Sequence, residues 1–183
     1  LRIHKNAFNN KDKRNNTRSQ KEDRIVCANN LKDYLKQVQS GEKKINAKTV
    51  QLYKLVKNAL NSTDESSKDV LNALWKESGN SIKELKHYII PMCDVSYSMT
   101  SDDCIPLYNS IALSLRISEK THPDFRNRIL TFSENSSWMK INPNMTFCEK
   151  VQVIKNDGNW GANTNIYKAC LLYTSDAADE LRS

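Results

Sequence analysis

The chain has 183 residues, of which 38% are apolar and 27% are charged. This length allows one large domain or two small ones, and the composition is that of a folded globular protein rather than a disordered one. No apolar run approaches the about 20 residues that a membrane-spanning helix needs, so no membrane partner is predicted.

The net charge of +7 is concentrated near the beginning of the sequence. Residues 1–24 contain eight Lys and Arg side chains against three acidic ones. Two interpretations stay open: a solvated, partly flexible arm, or a surface that binds a polyanion such as RNA. The first is favoured because Phe8 alone interleaves the charges with an aromatic ring. Under the second, the predicted nucleic-acid contacts are Lys11, Lys13, Arg14 and Arg18.

The five cysteines are not spaced as a metal site. None lies in a Cys-x-x-Cys pair, and no histidine stands near them at the spacing of a zinc site. We therefore expect free, mostly buried thiols in a reducing compartment.

Three amphipathic helices are predicted after the basic arm, because apolar residues recur every three or four positions. Those positions are Leu31, Tyr34, Leu35 and Val38; Leu52, Leu55, Val56, Ala59 and Leu60; and Val70, Leu71, Leu74 and Trp75. Ser40-Gly41 is expected to end the first helix. The third is expected to begin at an N-cap, Ser66 or Ser67, and to end at residues 78–80.

The pattern then changes to alternating strands and helices. Residues 87–93 predict a buried parallel strand, and Pro106 opens a helix. Further strands are predicted at 128–133 and 138–141, followed by a short helix at 146–154. The predicted fold class is α/β, with an N-terminal helical module followed by a doubly wound domain.

A loop rich in oxygen ligands follows the first predicted strand. Its sequence is Asp94-Val95-Ser96-Tyr97-Ser98, and ligands of doubly wound sheets bind at this end of a strand. Because alternate residues of an extended turn point the same way, Asp94, Ser96 and Ser98 are expected to converge. One carboxylate and two hydroxyls suit a hard cation such as Mg²⁺ or Mn²⁺. A phosphate cradle is excluded because the loop lacks a glycine-rich motif.

A second motif, Gly161-Ala162-Asn163-Thr164-Asn165, makes the first more specific. Together the two resemble the first two loops of the metal-ion-dependent adhesion site of von Willebrand factor A domains. More narrowly, the chain resembles the DUF2828 proteins of plants, fungi and large DNA viruses, whose A-type domain is similar to that of the TROVE/Ro ribonucleoproteins. The segments that carry this narrower resemblance are Tyr34–Gly41, Lys44–Ala47, Leu74-Trp75, Arg126–Glu134 and Trp160-Gly161.

The resemblance implies a specific ligand set. Ser96, Ser98 and Thr164 would coordinate the metal through their hydroxyls, and Asp94 would hold it directly or through water. With so few anionic ligands, the ion would accept an Asp or Glu carboxylate from a protein partner, which is binding rather than turnover. Tyr97 departs from the pattern, because this position usually holds glycine and the tyrosine is expected to strain or crowd the loop.

The end of the sequence has a different expected origin. Residues 170–183 resemble the translation of a sequencing adapter, and the third metal loop of the resembled family is not found after Ala169. The expected organisation is a basic arm at 1–24, a helical module at 25–84, a partial von Willebrand factor A-like domain at 85–169 and a non-native tail at 170–183.

Three functions remain open on the sequence. The leading one is a non-enzymatic, metal-dependent protein-interaction domain in the cytoplasm of a host or of a virus-infected cell. The alternative is an RNA-binding, ribonucleoprotein-type module that uses the basic arm and the helical surface. A metal-dependent hydrolase is disfavoured, because no histidine or second acid is expected to converge on Asp94.

Overall fold

The computed structural model describes residues 10–12, 14, 16–47, 49–80, 82–132, 136–156, 165, 167–172 and 174. Within these ranges the protein is mostly helical and has one small mixed sheet. The predicted α/β class is therefore confirmed at this level.

Three helices come first: α1 (Glu22–Ser40), α2 (Leu52–Asn61) and α3 (Glu65–Asn80). Helix α1 ends as predicted, because Gly41 takes the left-handed conformation at φ 85° and donates its N–H to the Val38 carbonyl. Its beginning was not predicted, because the apolar residues of its first turns, 25–28, are consecutive and do not form a stripe at helical spacing.

The predicted beginning of helix α3 was wrong. Asp64, rather than Ser66 or Ser67, precedes the helix, and its Oδ2 accepts a hydrogen bond of 2.8 Å from the Ser67 N–H. A carboxylate at this position satisfies an amide that the helix leaves unpaired. The helix ends at Asn80, within residues 78–80, where its end was predicted.

The sheet contains strands β1 (Met92–Asp94), β2 (Arg128–Phe132) and β3 (Ser137–Lys140), in that spatial order. Strands β1 and β2 are parallel, with Cys93 opposite Thr131, and helix α4 (Ile105–Lys120) connects them. Strands β2 and β3 are antiparallel. Parallel pairing places the loop after β1 at the same end of the sheet as the carboxyl end of β2.

Strand β1 is much shorter than the predicted strand at 87–93. Residues 87–89 bond instead to the end of α4, where Thr121 Oγ1 accepts from the Ile89 N–H at 3.0 Å and donates to the His87 carbonyl at 3.1 Å. Backbone groups satisfied by a buried threonine are not available to a neighbouring strand. The apolar run is thus in part a connection that is hydrogen-bonded to the carboxyl end of α4.

One apolar cluster unites the helices and the sheet. It includes residues of α2 and α3, of strands β1 to β3, of α4 and of the last long helix, α5 (Phe147–Asn156). Its fully buried members include Val56, Ile111, Leu115, Ile129 and Val151. Phe147, Val151 and Ile154 of α5 are buried as their helical spacing predicted.

A buried charged group lies where α3, α4 and α5 meet. The carboxylate of Glu119, on α4, forms ion pairs with Lys150 Nζ at 2.8 Å and with Arg116 Nη1 at 3.3 Å. The indole N–H of Trp75 donates to the same carboxylate at 3.0 Å. Arg116 also donates to the Trp75 carbonyl and to Ser78 Oγ, both at 2.8 Å. These bonds join the helical half of the chain to the α/β half.

Both faces of the Trp75 ring are covered in this group. The Arg116 guanidinium carbon lies 3.8 Å from the ring centroid. The Phe147 ring stacks on Trp75 at 4.2 Å, with 13° between the planes. Such stacking adds cation–π and aromatic contacts to the burial of the indole.

The described part of the basic segment forms a closed turn before α1. Lys11 and Thr17 make an isolated antiparallel bridge, and Asn10 Nδ2 donates to the Ser19 carbonyl at 2.8 Å. Asp12 Oδ1 accepts from the Arg14 and Asn16 amides, both at 2.8 Å. The turn is therefore ordered by its own hydrogen bonds.

Candidate functional site: the loop after strand β1

The predicted loop leaves the sheet directly at the end of β1. Asp94 is the last residue of the strand, and its Oδ1 accepts a hydrogen bond of 2.9 Å from the Ser96 N–H. The Ser96 and Ser98 hydroxyl oxygens lie 2.9 Å apart. The structure therefore brings Ser96 and Ser98 together beside Asp94, as alternate positions of the motif predicted.

Exposure differs among these oxygen-bearing side chains. Ser96 is 1% exposed, Asp94 is half-buried and Ser98 is exposed. The predicted fourth ligand, Thr164, lies outside the described residues, as do Lys13 of the basic segment and Trp160-Gly161. Of the two serines, Ser98 is therefore open to solvent and Ser96 is not.

The expected strain at Tyr97 is not found there. Tyr97 begins a 3₁₀ helix (Tyr97–Thr100), and its side chain is 74% exposed and crowds nothing. The left-handed backbone lies further on, at Asp102, Asp103 and Cys104, with φ of 51°, 57° and 60°. A residue other than glycine is strained in the left-handed conformation, and such residues are concentrated in functional loops.

An ion pair connects this left-handed turn to helix α2. Lys57 Nζ bonds to Asp103 Oδ2, and this bond raises the pKa of Lys57 above its usual value. The pair is exposed to solvent, so we expect it to orient the turn more than to stabilise it.

The cysteine beside the loop is not a nucleophile. Cys93 is buried, Ser110 Oγ lies 3.6 Å from its Sγ, and burial raises the pKa of its thiol. A nucleophilic cysteine needs the opposite shift, because the thiolate is the reactive form. All five cysteines are free, but only Cys93 and Cys148 are buried.

The acidic side chains near the loop do not form a metal cluster. Among the residues that the structure describes, no group of three or more His, Cys, Asp or Glu side chains could hold a metal ion. The loop itself offers one carboxylate and two hydroxyls. The described residues therefore show no metal-binding cluster that would identify an adhesion-type site.

The predicted nucleic-acid contacts are only partly described. Arg14 and Arg18 are exposed on the closed turn, whereas Lys11 is half-buried and its Nζ lies 3.4 Å from Thr17 Oγ1. The turn thus presents the two arginines to solvent.

Residues 88–177 match a family model described as "Domain of unknown function (DUF7788)". The matched range contains the whole loop, the sheet and helices α4 and α5. It also extends into the segment that was predicted to be an adapter-derived tail.

One curated protein is similar over most of this chain. It is the "Uncharacterized protein L728" of Acanthamoeba polyphaga mimivirus, 30% identical over 168 residues. The alignment covers 88% of this chain and 27% of the viral protein, so the chain spans about a quarter of its relative's length. No solved structure matches.

These comparisons correct the predicted family. The family model that matches is DUF7788, not DUF2828, and the similar viral protein supports neither a von Willebrand factor A-type nor a TROVE/Ro identity. The resemblance to von Willebrand factor A domains relied on two short Asp-, Ser- and Thr-containing loops, and the narrower one relied on five short segments between Tyr34 and Gly161. Such loops follow strands in many unrelated folds, so the two motifs were less specific than their spacing indicated.

The buried group of Arg116, Glu119 and Lys150 was not predicted from the sequence. One signal was present: Arg116 and Glu119 continue the helical spacing of buried Ala112 and Leu115 at i+4. Charged residues on an apolar helix face are unusual and indicate buried partners. Those partners lie on α3 and α5, far away in the sequence, so spacing could not identify them.

Proposed function

We propose that this chain is a non-enzymatic protein-interaction module that contacts its partner through the loop Asp94–Ser98. The observation that carries the proposal is the 2.9 Å separation of the Ser96 and Ser98 hydroxyl oxygens beside Asp94. We propose further that these oxygens hold one Mg²⁺ or Mn²⁺ ion weakly. Hydroxyl and carboxylate oxygens are the ligands that such ions prefer.

The proposed cation explains why a partner would supply a carboxylate. One carboxylate and two neutral hydroxyls leave a divalent ion with net positive charge, which an Asp or Glu side chain of the partner would neutralise. Tyr97 stands between the two serines and is 74% exposed, so it offers a large amphipathic contact next to the ion. Exposed tyrosines are frequent in protein interfaces.

Replacing Ser98 with alanine tests the proposal. We expect Ser98→Ala to weaken Mn²⁺ binding by about tenfold, because one of three direct ligands is lost. Ser101→Ala is the matched control, since Ser101 is an exposed serine of the same segment and caps nothing with its side chain. The measurement is the free Mn²⁺ signal in electron paramagnetic resonance during titration.

A second measurement examines the partner. A glutamate-rich peptide should bind the full chain in Mg²⁺ and dissociate when EDTA removes the ion. Equal Mn²⁺ affinity of the wild type, Ser98→Ala and Ser101→Ala would refute the cation site. Peptide binding that EDTA does not change would refute the proposed role of the ion.

RNA binding is a second candidate, favoured by the exposure of Arg14 and Arg18 on the closed turn. If it is correct, Arg14→Ala with Arg18→Ala should reduce the affinity for a single-stranded RNA. The slope of log affinity against log salt concentration should also decrease by the equivalent of about two phosphate contacts. Arg24→Ala with Lys32→Ala is a charge-matched control on helix α1. An affinity that is insensitive to salt would exclude this candidate.

The wider context is also proposed. We infer that β1, α4 and β2 belong to a doubly wound arrangement, which their parallel pairing and helical crossover support. We propose that the chain acts in a reducing cytoplasm, of a host or of a virus-infected cell. The free cysteines and the similar mimivirus protein support that setting. Within the described ranges, no helix is both long enough and apolar enough to cross a membrane.

A further inference from the structure

A cavity of about 460 Å³ opens beside the buried charged group, between helices α3, α4 and α5. None of its lining residues belongs to the loop after β1, and its proposed role is independent of that loop. The charged side chains that line it are Lys76, Arg116, Glu119, Lys120 and Lys150. Four cationic side chains and one carboxylate therefore line this cavity.

The innermost of these charges are not balanced. The side chains of Arg116 and Lys150 are 8% and 9% exposed, and Glu119, at 18%, is the carboxylate that both of them contact. Two buried cations with one anion leave a net positive charge in a poorly solvated place. Such a charge is costly unless an anion or several hydrogen bonds compensate it.

The hydrogen-bonding capacity of the group is also incomplete. The Glu119 carboxylate already accepts hydrogen bonds from Trp75, Arg116 and Lys150, so it has little capacity left to compensate a further cation. Arg116 is 6% exposed, and its Nε has no hydrogen-bond partner among the described residues. This Nε atom is itself closed to solvent, so its unpaired N–H adds to the uncompensated positive potential beside the cavity rather than contacting a ligand there.

Two lysines at the same cavity extend the positive potential outward. Lys76 is exposed and Lys120 is half-buried, and within the described ranges neither has an ion-pair partner. Thr146 and Phe147, at the beginning of helix α5, also line the cavity. The Glu149 carboxylate already accepts hydrogen bonds from the Thr146 N–H and hydroxyl, so the partial positive charge of this helix end is offset and adds little to the site.

We propose that this cavity binds a compact oxyanion of the phosphate class. The negative charge of the oxyanion would neutralise the excess positive charge of Arg116 and Lys150. Lys76 and Lys120 would attract the oxyanion from solvent. Guanidinium and ammonium groups are the usual protein ligands of phosphate. Binding would also hold α3, α4 and α5 together, since each helix contributes a cation.

The cavity is suited to a compact anion rather than to a nucleobase. Both faces of Trp75 are covered, by Arg116 at 3.8 Å and by Phe147 at 4.2 Å. A base could not stack on this ring without separating one of them. The phosphate group, whether free or esterified, is therefore the part of a ligand that the site recognises.

Calorimetric titration of the full chain with sodium phosphate, at constant ionic strength maintained with NaCl, tests this proposal. We expect saturable binding, and we expect Lys76→Gln with Lys120→Gln to raise the dissociation constant by about tenfold. Lys32→Gln with Lys155→Gln is the control, because it removes the same charge from exposed sites outside the cavity. Thermal unfolding without phosphate verifies that both variants fold.

Three outcomes would overturn the proposal. The first is the absence of saturable phosphate binding by the wild type. The second is an equal effect of the two lysine pairs, which would indicate nonspecific attraction by net charge. The third is binding of AMP more than tenfold tighter than phosphate or glycerol 3-phosphate, which would show that a base is recognised. Comparable affinity for free phosphate and both esters would support the compact-anion assignment.

Discussion

Replacing Glu119 with alanine is expected to lower the free energy of unfolding by about 3–5 kcal/mol, because it leaves two buried cations without their carboxylate. Arg116 and Lys150 both bond to Glu119, and Trp75 loses the acceptor of its indole N–H as well. Burial already lowers the pKa of Arg116, an effect that the Glu119 charge opposes. Urea denaturation followed by tryptophan fluorescence and by circular dichroism measures the loss.

Glu84→Ala is the matched control for Glu119→Ala. Glu84 also pairs with an arginine, Arg126 at 3.2 Å, but its side chain is 68% exposed. Exposed pairs contribute at most about 1 kcal/mol, so this substitution should change little. Similar losses for the two variants would contradict the conclusion that the Glu119 group is buried and essential to the packing of the three helices.

Replacing Gly79 with alanine should destabilise the protein, although Gly79 lies within a helix. On helix propensity alone, the change from glycine to alanine would stabilise α3 by about 1 kcal/mol. However, an added Cβ would overlap Arg116 Nη1 and lie 2.9 Å from its Cζ. Because Arg116 is fixed by several hydrogen bonds, we expect a net loss of about 1–3 kcal/mol, as for other overpacked sites.

A double-mutant cycle separates these two effects of Gly79→Ala. In an Arg116→Leu background the guanidinium is absent, so the alanine should be neutral or should stabilise by about 1 kcal/mol. The measured quantity is again the free energy of unfolding in urea. If Gly79→Ala stabilises the protein with Arg116 in place, the close approach of the two residues is not as the structure shows it.

The helices and strands were largely predictable because they rely on local patterns. Apolar spacing identified α2 and α5, and Gly41 ended α1 where only a left-handed residue continues the chain. The errors have tertiary causes. Strand β1 is short because a buried hydroxyl, that of Thr121, takes the hydrogen bonds of the preceding segment.

The candidate site was predictable in its position but not in its details. The motif at Asp94–Ser98 follows a strand, and its serine hydroxyls converge as alternate residues should. The turn at residues 102–104 was not predicted, because none of these residues is glycine, and Asp adopts positive φ too seldom for Asp102 and Asp103 to indicate it on their own. The family assignment was wrong because it relied on short motifs and segments, which recur in unrelated proteins.

The sequence alone determined that the basic charge lies near residue 1, that apolar stripes form amphipathic helices and that an oxygen-rich loop follows a strand. These properties depend on neighbours a few residues apart, so a linear pattern contains them. Only the tertiary structure decided which charges are buried together. Glu119 meets Trp75 across 44 positions and Lys150 across 31, because burying one apolar core brought three helices into contact. The resulting charge imbalance at the adjacent cavity is a property of that packing and of no single segment.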